Sequence, residues 1–357
     1  MNETRIRQVI ENMKAEGLSQ IIVSDDDALV YLLGKTPAAE ERLGALFIKD
    51  DGSLDMFVNS ICCFEAPAGV TLHPHQDGED VLGALVNHAD SGSLGIDKNW
   101  RAKWLVELLE RRPDIKAVHG SGPVDKARAC KDEDEKELLR KAGELDDKMV
   151  AFAISQVGKD MTEAQLAKAI EDQFVKAGAG PMPEGQLAIY GANCAEPHHD
   201  SDNTQIKEGD AVIFDLFAPL NGYWCDMTRT VFYKKVSDQH RKVYETVKRA
   251  QQAAIEAVAP GVRLSDIDKV ARDIITEAGY GEYFITRTGH GCGLTVHEAP
   301  ECSRTSTDVC QVGMCFSIEP GIYIKGDVGV RIEDLVIVTE DGCEVLTKYT
   351  KELQIIE

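Results

Sequence analysis

Apolar and polar positions in the first third of the chain follow helical spacing in some segments and strand-like spacing in others. Apolar residues recur at helical intervals over residues 5–17 and again over 101–111, which predicts two amphipathic helices. Between them, short apolar runs at 20–24, 45–48 and 54–58 predict strands. This mixture predicts an α/β domain.

The pattern lapses over residues 120–131, where Gly, Ser, Pro and charged residues dominate. A long helical stretch follows, and it begins with three acidic residues at 132–134, which favour the positive N-terminal end of a helix dipole. A chain of 357 residues exceeds the usual size of a single core. We therefore predict an N-terminal α/β domain over 1–125 and a second domain over 126–357.

The second domain contains a weak internal repeat. Residues 161–180 superpose on residues 262–281 at an offset of 101 residues, and a pair of glycines coincides at the end of each copy. Further helical patterns at about 133–157 and 237–258 precede the two copies, and strand-rich sequence follows each of them. The second domain is therefore predicted to be an α+β structure with an internal pseudo-twofold duplication.

Two aspartates interrupt apolar strands in the first half of this domain. Asp215 and Asp226 lie on either side of a turn at residues 219–222. Counted from a turn centre between residues 220 and 221, they are direct cross-strand neighbours on one face. Strands are depleted in Asp, and facing carboxylates repel each other unless a proton or a cation neutralises them.

The second half of the domain repeats this arrangement. Glu319 and Glu333 flank a turn at residues 326–329 and are equidistant from residue 326. Two duplicated hairpins would bring four carboxylates around one pseudo-twofold axis. Because apolar strands tolerate that charge density when hard cations occupy the centre, the sequence predicts a site for two metal ions.

Histidines lie near both hairpins. His290 and His297 belong to a glycine-rich segment at 288–300, and His198 and His199 belong to a turn-rich stretch before the first hairpin. Glycines allow close backbone approach, and a neutral imidazole can bind a metal ion. Taken alone, the Gly-His-Gly motif is weak evidence for such a site.

Together, in order and spacing, these residues resemble the signature of the pita-bread metallopeptidases, in particular prolidase and aminopeptidase P. The resemblance runs from about residue 127 to the C-terminus, and it implies a pita-bread catalytic domain behind a creatinase/prolidase-type N-terminal domain. It implies that two divalent ions, Mn²⁺ or Co²⁺ with Zn²⁺ as an alternative, are bound by Asp215, Asp226, His290, Glu319 and Glu333. Asp226 and Glu333 would bridge the two ions.

The same resemblance implies roles for residues around the ions. Glu319 would take a proton from the attacking water and pass it to the leaving amine. His198 and His297 would contact the substrate and the tetrahedral intermediate, and Arg331 would lie behind the metal ligands. The implied activity is hydrolysis of Xaa-Pro bonds in short peptides by a metal-bridged hydroxide, as an Xaa-Pro dipeptidase or aminopeptidase, and the implied assembly is a homodimer.

Two positions depart from the family pattern. Phe217 stands where family members commonly have Gly, so we expect it to fill space near the site and to narrow the pocket. Glu301 stands where several prolidases have a basic residue that holds the carboxylate of a dipeptide, and Arg304 is a nearby substitute. Since an acid repels that carboxylate, the pattern favours longer peptides or an unusual amide over dipeptides.

Two alternatives stay open. A hydrolase of a non-peptide amide, creatinase-like or related, would share the fold, and so would a non-catalytic binding protein. Creatinase-like relatives without metal have lost ligand positions, and binding proteins of this fold usually lack the ligands. All five ligand positions are intact in this chain.

Charge and composition narrow the partners. Lys and Arg number 39 against 61 Asp and Glu, a net charge of −22, which repels nucleic acids and anionic membranes. The longest stretches without charged residues fall far short of the roughly 20 apolar residues of a membrane span. The N-terminus begins as an amphipathic helix and not as a signal peptide, and the ten cysteines show no repeated Cys-x-x-Cys pair. We therefore expect a cytoplasmic protein with free thiols.

Overall fold

A computed structural model describes residues 1–183 and 185–357 of the chain. The chain divides into two compact units, Met1–Arg128 and Ala129–Glu357. Both units combine helices with strands. Across the described residues, every helix is too short or too polar to span a lipid bilayer.

The first unit is built on one mixed sheet with the strand order β4-β3-β2-β1-β5-β6. Its strands are β1 (Gln20–Val23), β2 (Gly44–Lys49), β3 (Leu54–Asn59), β4 (Thr71–His75), β5 (Gly92–Ile96) and β6 (Ile115–His119). The neighbours β1–β2 and β2–β3 are antiparallel, and the other neighbouring pairs are parallel. Every residue of β1 and β3 is buried, which explains why these strands read as nearly continuous apolar runs without alternation.

The helices of the first unit accompany this sheet. They are α1 (Glu3–Ala15), α2 (Asp26–Leu33), α3 (Gly83–His88), α4 (Ala102–Arg111) and α5 (Gly122–Ala129). The predicted elements α1, α4, β1, β2 and β3 are confirmed to within two residues at each end. The sequence pattern does not predict the remaining elements of this unit.

Helix α5 forms in the segment where the sequence pattern lapses. Pro123 lies in its first turn, where a missing N–H leaves no helical hydrogen bond unmade. Val124 and Ala127 are buried, so a short apolar face stabilises the helix in spite of its Gly and Pro residues. The division between the two units falls near the end of this helix, after Arg128.

The second unit contains two larger sheets and a two-stranded ribbon. One sheet has the order β17-β9-β8-β7, the other has the order β11-β10-β12-β15-β16, and β13 pairs with β14. The strands of the unit are β7 (Leu187–Tyr190), β8 (Ala211–Leu220), β9 (Tyr223–Tyr233), β10 (Gly289–Gly291), β11 (Glu298–Cys302), β12 (Cys315–Ile318), β13 (Gly321–Ile324), β14 (Val328–Arg331), β15 (Asp334–Val338), β16 (Cys343–Val345) and β17 (Ile355–Ile356).

The helices of the second unit reproduce the repeat seen in the sequence. They are α6 (Glu133–Gln156), α7 (Glu163–Lys176), α8 (Asp238–Glu256) and α9 (Leu264–Glu277). Helices α7 and α9 each have 14 residues and begin 101 positions apart, at residues 163 and 264. Gly178 and Gly279, the first of each glycine pair, both adopt a positive φ, at 92° and 88°. The offset predicted from the sequence is therefore confirmed in the helices.

Helix α6 begins at the acidic run that the sequence identified. The Asp132 side chain accepts a hydrogen bond from the backbone N–H of Glu135, and the Glu135 carboxylate accepts one from the N–H of Asp132. This capping box satisfies two backbone donors that a helix start leaves unpaired. The acidic run therefore has a local structural role.

The hairpin of β8 and β9 has a different register from the predicted one. Asn221 and Gly222 form its two-residue turn with positive φ values of 53° and 85°, the Asn-Gly geometry that suits a tight hairpin. Asp215 therefore pairs with Thr228, and Asp226 pairs with Phe217, so the prediction that the two aspartates are directly opposite is wrong. Because the shift is two residues, both carboxylates stay on the same face as diagonal neighbours.

The second pair of carboxylates follows the predicted register. In the β12–β15 and β13–β14 ladders, paired residues are equidistant from residue 326. Glu319 and Glu333 lie at the break between these two ladders, where the strands leave the larger sheet and continue as the ribbon. The predicted symmetry of this pair about residue 326 is confirmed.

Candidate metal centre

The five predicted ligands converge on one cavity of about 550 Å³ in the second unit. They are Asp215, Asp226, His290, Glu319 and Glu333. The diagonal aspartates of the β8–β9 hairpin supply two of these side chains, and the break between the second pair of ladders supplies both glutamates. The sheet registers therefore determine this convergence.

His290 is held as a neutral imidazole. Its Nδ1 lies 3.1 Å from the carbonyl oxygen of Gly291, and its Nε2 lies 3.6 Å from Asp226 Oδ2 and 3.3 Å from Glu319 Oε1. Burial, together with the neighbouring His297 and Arg287, lowers the pKa of His290 to about 3. A proton on Nδ1, donated to that carbonyl, leaves the Nε2 lone pair facing the carboxylates, as a metal ligand requires.

The buried carboxylates repel one another. Burial and the neighbouring acids raise the pKa values of Asp226 and Glu333 well above their ordinary range. Burial also raises the pKa of Glu319 to about 7, an effect that Asp215 increases and Arg331 opposes. Divalent ions would remove this cost by compensating the charges.

Two oxygen atoms support this fit to metal ions. Among the described residues, the buried Asp226 Oδ1 and Glu333 Oε1 have no hydrogen-bond partner. Potential ligand atoms of Asp226, His290 and Glu333 also lie within 4.8 Å of one another. Since buried carboxylate oxygens are normally hydrogen-bonded, the two unpaired atoms fit a role as metal ligands.

Arg331 orients the carboxylates from behind. Its Nη2 donates to Asp215 Oδ2 at 2.6 Å, and its Nε donates to the hydroxyl of Thr228 at 3.0 Å. That hydroxyl donates in turn to Glu333 Oε2 at 2.8 Å, which leaves Oε1 as the unpaired oxygen. Arg331 Nη1 reaches the carbonyl oxygen of Pro197, next to His198, at 3.2 Å. The buried guanidinium of Arg331 thus connects Asp215 directly, and Glu333 through Thr228, with the segment that carries His198.

The predicted histidines differ in position. His198 is exposed and lines the cavity, and His297 lines it with its ring edge-on to His290, 4.3 Å between ring centroids. His199 does not line the cavity, because its ring nitrogens face Glu196 and Glu163 at 3.3 and 3.5 Å.

Phe217 is almost fully buried and lines the cavity beside Asp226, its cross-strand partner. Its ring lies 6.4 Å from that of Trp224, centroid to centroid. Its backbone N–H donates to Gln186 Oε1, and its carbonyl accepts from Gln186 Nε2. The aromatic ring therefore lines the cavity, and the Gln186 amide holds the backbone that carries it.

The predicted pocket residues Glu301 and Arg304 are outside the described lining of this cavity. Both are exposed, and neither belongs to the described lining. Glu301 lies on β11 directly opposite His290 on β10, and its side chain is exposed. The expectation that Glu301 faces a substrate carboxylate stays a prediction.

Several lining residues were missed by the sequence reasoning. They are Leu187, Asp200, Thr286, Arg287 and Val296. Arg287 and Thr286 come a few residues before His290 in the chain, and Asp200 follows the His198-His199 pair, so proximity to the histidine motifs was the available signal. Thr286 Oγ1 is a buried atom with no hydrogen-bond partner among the described residues. The cavity therefore offers one arginine and one further acid to a ligand.

Comparison with known proteins places this arrangement in a family. Residues 137–340 match the model of metallopeptidase family M24, and residues 5–130 match the creatinase/prolidase N-terminal domain. An uncharacterized peptidase of Staphylococcus aureus is 33% identical, with 98% of this chain and 100% of the relative covered.

Solved structures are also similar over nearly the whole chain. A recombinant prolidase from Thermococcus sibiricus has a TM-score of 0.90 and 32% identity, with 99% of both chains covered. Dipeptidase PepE from Mycobacterium ulcerans has a TM-score of 0.92 and 31% identity, with 99% of this chain and 97% of that chain covered. The predicted fold class, an α/β domain followed by a pita-bread catalytic domain, is confirmed. The chain belongs to metallopeptidase family M24 and carries an N-terminal domain of the creatinase/prolidase type.

Proposed function

We propose that the protein is a dinuclear metallopeptidase that hydrolyses Xaa-Pro bonds in short peptides. The observation that carries the proposal is the convergence of one imidazole and four carboxylates on one cavity, two of them with unpaired buried oxygens. The similarity to a prolidase and a dipeptidase at about a third identity supports the choice of substrate.

The five residues predicted from the sequence would hold two divalent ions, and the proposal keeps Asp226 and Glu333 as the ligands that both ions would share. Bound divalent ions supply Lewis acidity to the scissile carbonyl and lower the pKa of a water molecule. Glu319, a carboxylate of the cavity lining, could accept a proton and return it to the leaving amine. His198 and His297, which both line the cavity, can orient the scissile amide and donate to the developing oxyanion.

The charges of the cavity wall suit a short peptide with free ends. Arg287 is half-buried and lines the cavity near His290 and Glu319, on both of which its charge acts. Asp200 supplies an exposed acid on the lining. We assign the substrate carboxylate to Arg287 and a free amino group to Asp200, since opposite charges attract strongly in a partly desolvated cleft.

Turnover of a matched peptide panel tests the substrate class. After dialysis with Mn²⁺ or Co²⁺, the protein is expected to cleave Xaa-Pro dipeptides and tripeptides faster than the same peptides with Ala in place of Pro. The amide bond before proline has no N–H because the proline ring is attached to that nitrogen. An active site that selects Xaa-Pro bonds is therefore shaped to hold the ring. Small cyclic and N-substituted amides belong in the panel. Faster turnover of these amides than of every peptide would contradict the proposal and favour a non-peptide amidohydrolase.

Arg287→Gln tests the assignment of the carboxylate. We expect kcat/KM for a dipeptide to fall about 10- to 100-fold, because a hydrogen bond between charged groups contributes about 1.5–3 kcal/mol. The same variant should cleave C-terminally amidated substrates nearly as well as the unmodified protein. Arg249→Gln is the control, since it makes the same change at an exposed position on α8 outside the cavity lining. An equal loss on free and amidated substrates would contradict the assignment.

A further inference from the structure

A second cluster of potential metal ligands lies in the first unit. Asp55 on β3, His73 on β4 and His88 at the end of α3 each have a ligand atom within 4.8 Å of the other two. His73 Nε2 lies 2.7 Å from Asp55 Oδ1, and His88 Nε2 lies 3.2 Å from Asp55 Oδ2. Each imidazole therefore directs its Nε2 atom at the Asp55 carboxylate.

The surroundings of Asp55 are unusual for a carboxylate. Its side chain is 10% exposed and lies on a fully buried strand. Phe47 is its direct partner on β2, and the Phe57 ring stacks on His73 with 4.5 Å between centroids. Aromatic rings also pack edge-on against His88. A carboxylate in apolar surroundings is costly unless it faces positive charge, and its polar neighbours here are two imidazoles.

One histidine nitrogen of this cluster also lacks a hydrogen-bond partner among the described residues. His88 Nε2 is buried and makes no hydrogen bond within the described chain, although it lies close to Asp55. The His73 and His88 side chains are 33% and 26% exposed, so the cluster is open to solvent on one side. A cation at this point would satisfy the unpaired nitrogen and the carboxylate together, and it would have an entry path.

A comparison with a third cluster shows what distinguishes this one. Glu163, His199 and Asp202 also lie close together, but the Glu163 carboxylate already accepts hydrogen bonds from the backbone N–H groups of Tyr190 and Asp202 and from the Asn193 side chain. It anchors the loop that carries His198. The Asp55 carboxylate, in contrast, faces two imidazoles and no other polar partner among the described residues.

We propose that Asp55, His73 and His88 form a second metal site, separate from the M24 centre, that binds one Zn²⁺ ion through two imidazole nitrogens and one carboxylate oxygen. Two histidines and one acid are a donor set that zinc accepts, and a tetrahedral ion leaves its fourth position to water. The site stands on its own geometry and does not depend on the proposed peptidase activity. Harder ions such as Mg²⁺ and Ca²⁺ prefer all-oxygen ligands, so they should bind weakly.

Zinc content of the full-length protein tests the site. After equilibrium dialysis against Zn²⁺, elemental analysis should find about one ion fewer per chain in the double variant His73→Gln/His88→Gln than in the unmodified protein. His119→Gln is the matched control, since it removes an exposed histidine of the same unit and should leave the zinc content unchanged. Equal zinc content in the double variant and the unmodified protein would overturn the proposal.

Nitrogen NMR of the unmodified protein decides the question if the double variant does not fold. With ¹⁵N-labelled histidine, adding Zn²⁺ should shift the Nε2 resonances of His73 and His88, which the single variants His73→Gln and His88→Gln assign by their missing signals. The His119 resonances should not move. If Zn²⁺ left both Nε2 resonances in place, the three residues would be a hydrogen-bonded cluster and no metal site.

Discussion

Glu333→Gln is expected to remove at least one divalent ion from the centre and to lower hydrolysis about 1000-fold or more, because a metal ion contributes several kcal/mol to the transition state and each 1.4 kcal/mol is tenfold in rate. The amide retains the size of the carboxyl group and can still accept from the Thr228 hydroxyl, as Glu333 Oε2 does at 2.8 Å. The variant therefore tests the negative charge and the unpaired Oε1 with little change in packing. Elemental analysis and initial rates with an Xaa-Pro peptide measure the two effects.

The matched control for this variant is Glu340→Gln. It makes the same chemical change at an exposed position seven residues further along. We expect full metal content and normal turnover. If Glu333→Gln retained two ions per chain and near-normal turnover, the assignment of Glu333 as a bridging ligand would be wrong.

Removal of divalent ions with a chelator is expected to lower the melting temperature of the second unit by about 10 °C. An ion present at about 1000 times its Kd stabilises the folded state by about 4 kcal/mol, and each kcal/mol is worth about 2–4 °C in a domain of this size. The structural reason is the burial and the mutual repulsion that raise the pKa values of Asp226 and Glu333. Calorimetry before chelation, after it, and after adding back Mn²⁺ or Co²⁺ measures the shift.

Glu333→Gln also serves as the control for this stability effect. Without ions, its melting temperature should equal or exceed that of the chelated unmodified protein, since one of the repelling groups is gone. Adding Mn²⁺ or Co²⁺ should raise it less than it raises the unmodified protein. Unchanged melting of the unmodified protein on chelation would contradict the metal centre.

The two pairs of carboxylates show how well residue spacing in the sequence predicts which carboxylates lie close together. The symmetry of Glu319 and Glu333 about residue 326 predicts their register correctly, because the β12–β15 ladder of the larger sheet and the β13–β14 ribbon keep one register. The aspartate hairpin was misjudged by two residues, because the Asn221-Gly222 pair forms the tight turn. A shift of two residues leaves both aspartate side chains on the same face of the sheet, so the predicted shared face is confirmed.

The lining of the cavity could not be predicted in the same way. Arg287 and Thr286 carry no pattern of their own, and they enter the cavity through the packing that surrounds the His290 strand. Glu301 lies directly opposite His290 in the β10–β11 pairing, yet its side chain is exposed and outside the described lining of the cavity. Which side of a short strand faces a cavity depends on contacts with distant segments, and no local spacing records these contacts.

The sequence by itself determined the order of the two folds, the repeat of α7 and α9 and the set of candidate ligands, because periodicity and the cost of carboxylates in apolar strands are local properties. Only the tertiary structure decided the diagonal register of the aspartates, the unpaired oxygens of Asp226 and Glu333, and the Asp55–His73–His88 cluster. Each of these features depends on which atoms of distant segments come into contact and on how much water is excluded when the segments pack. Hydrogen bonding and desolvation at these contacts involve residues far apart in the sequence, so they are set once the chain has folded.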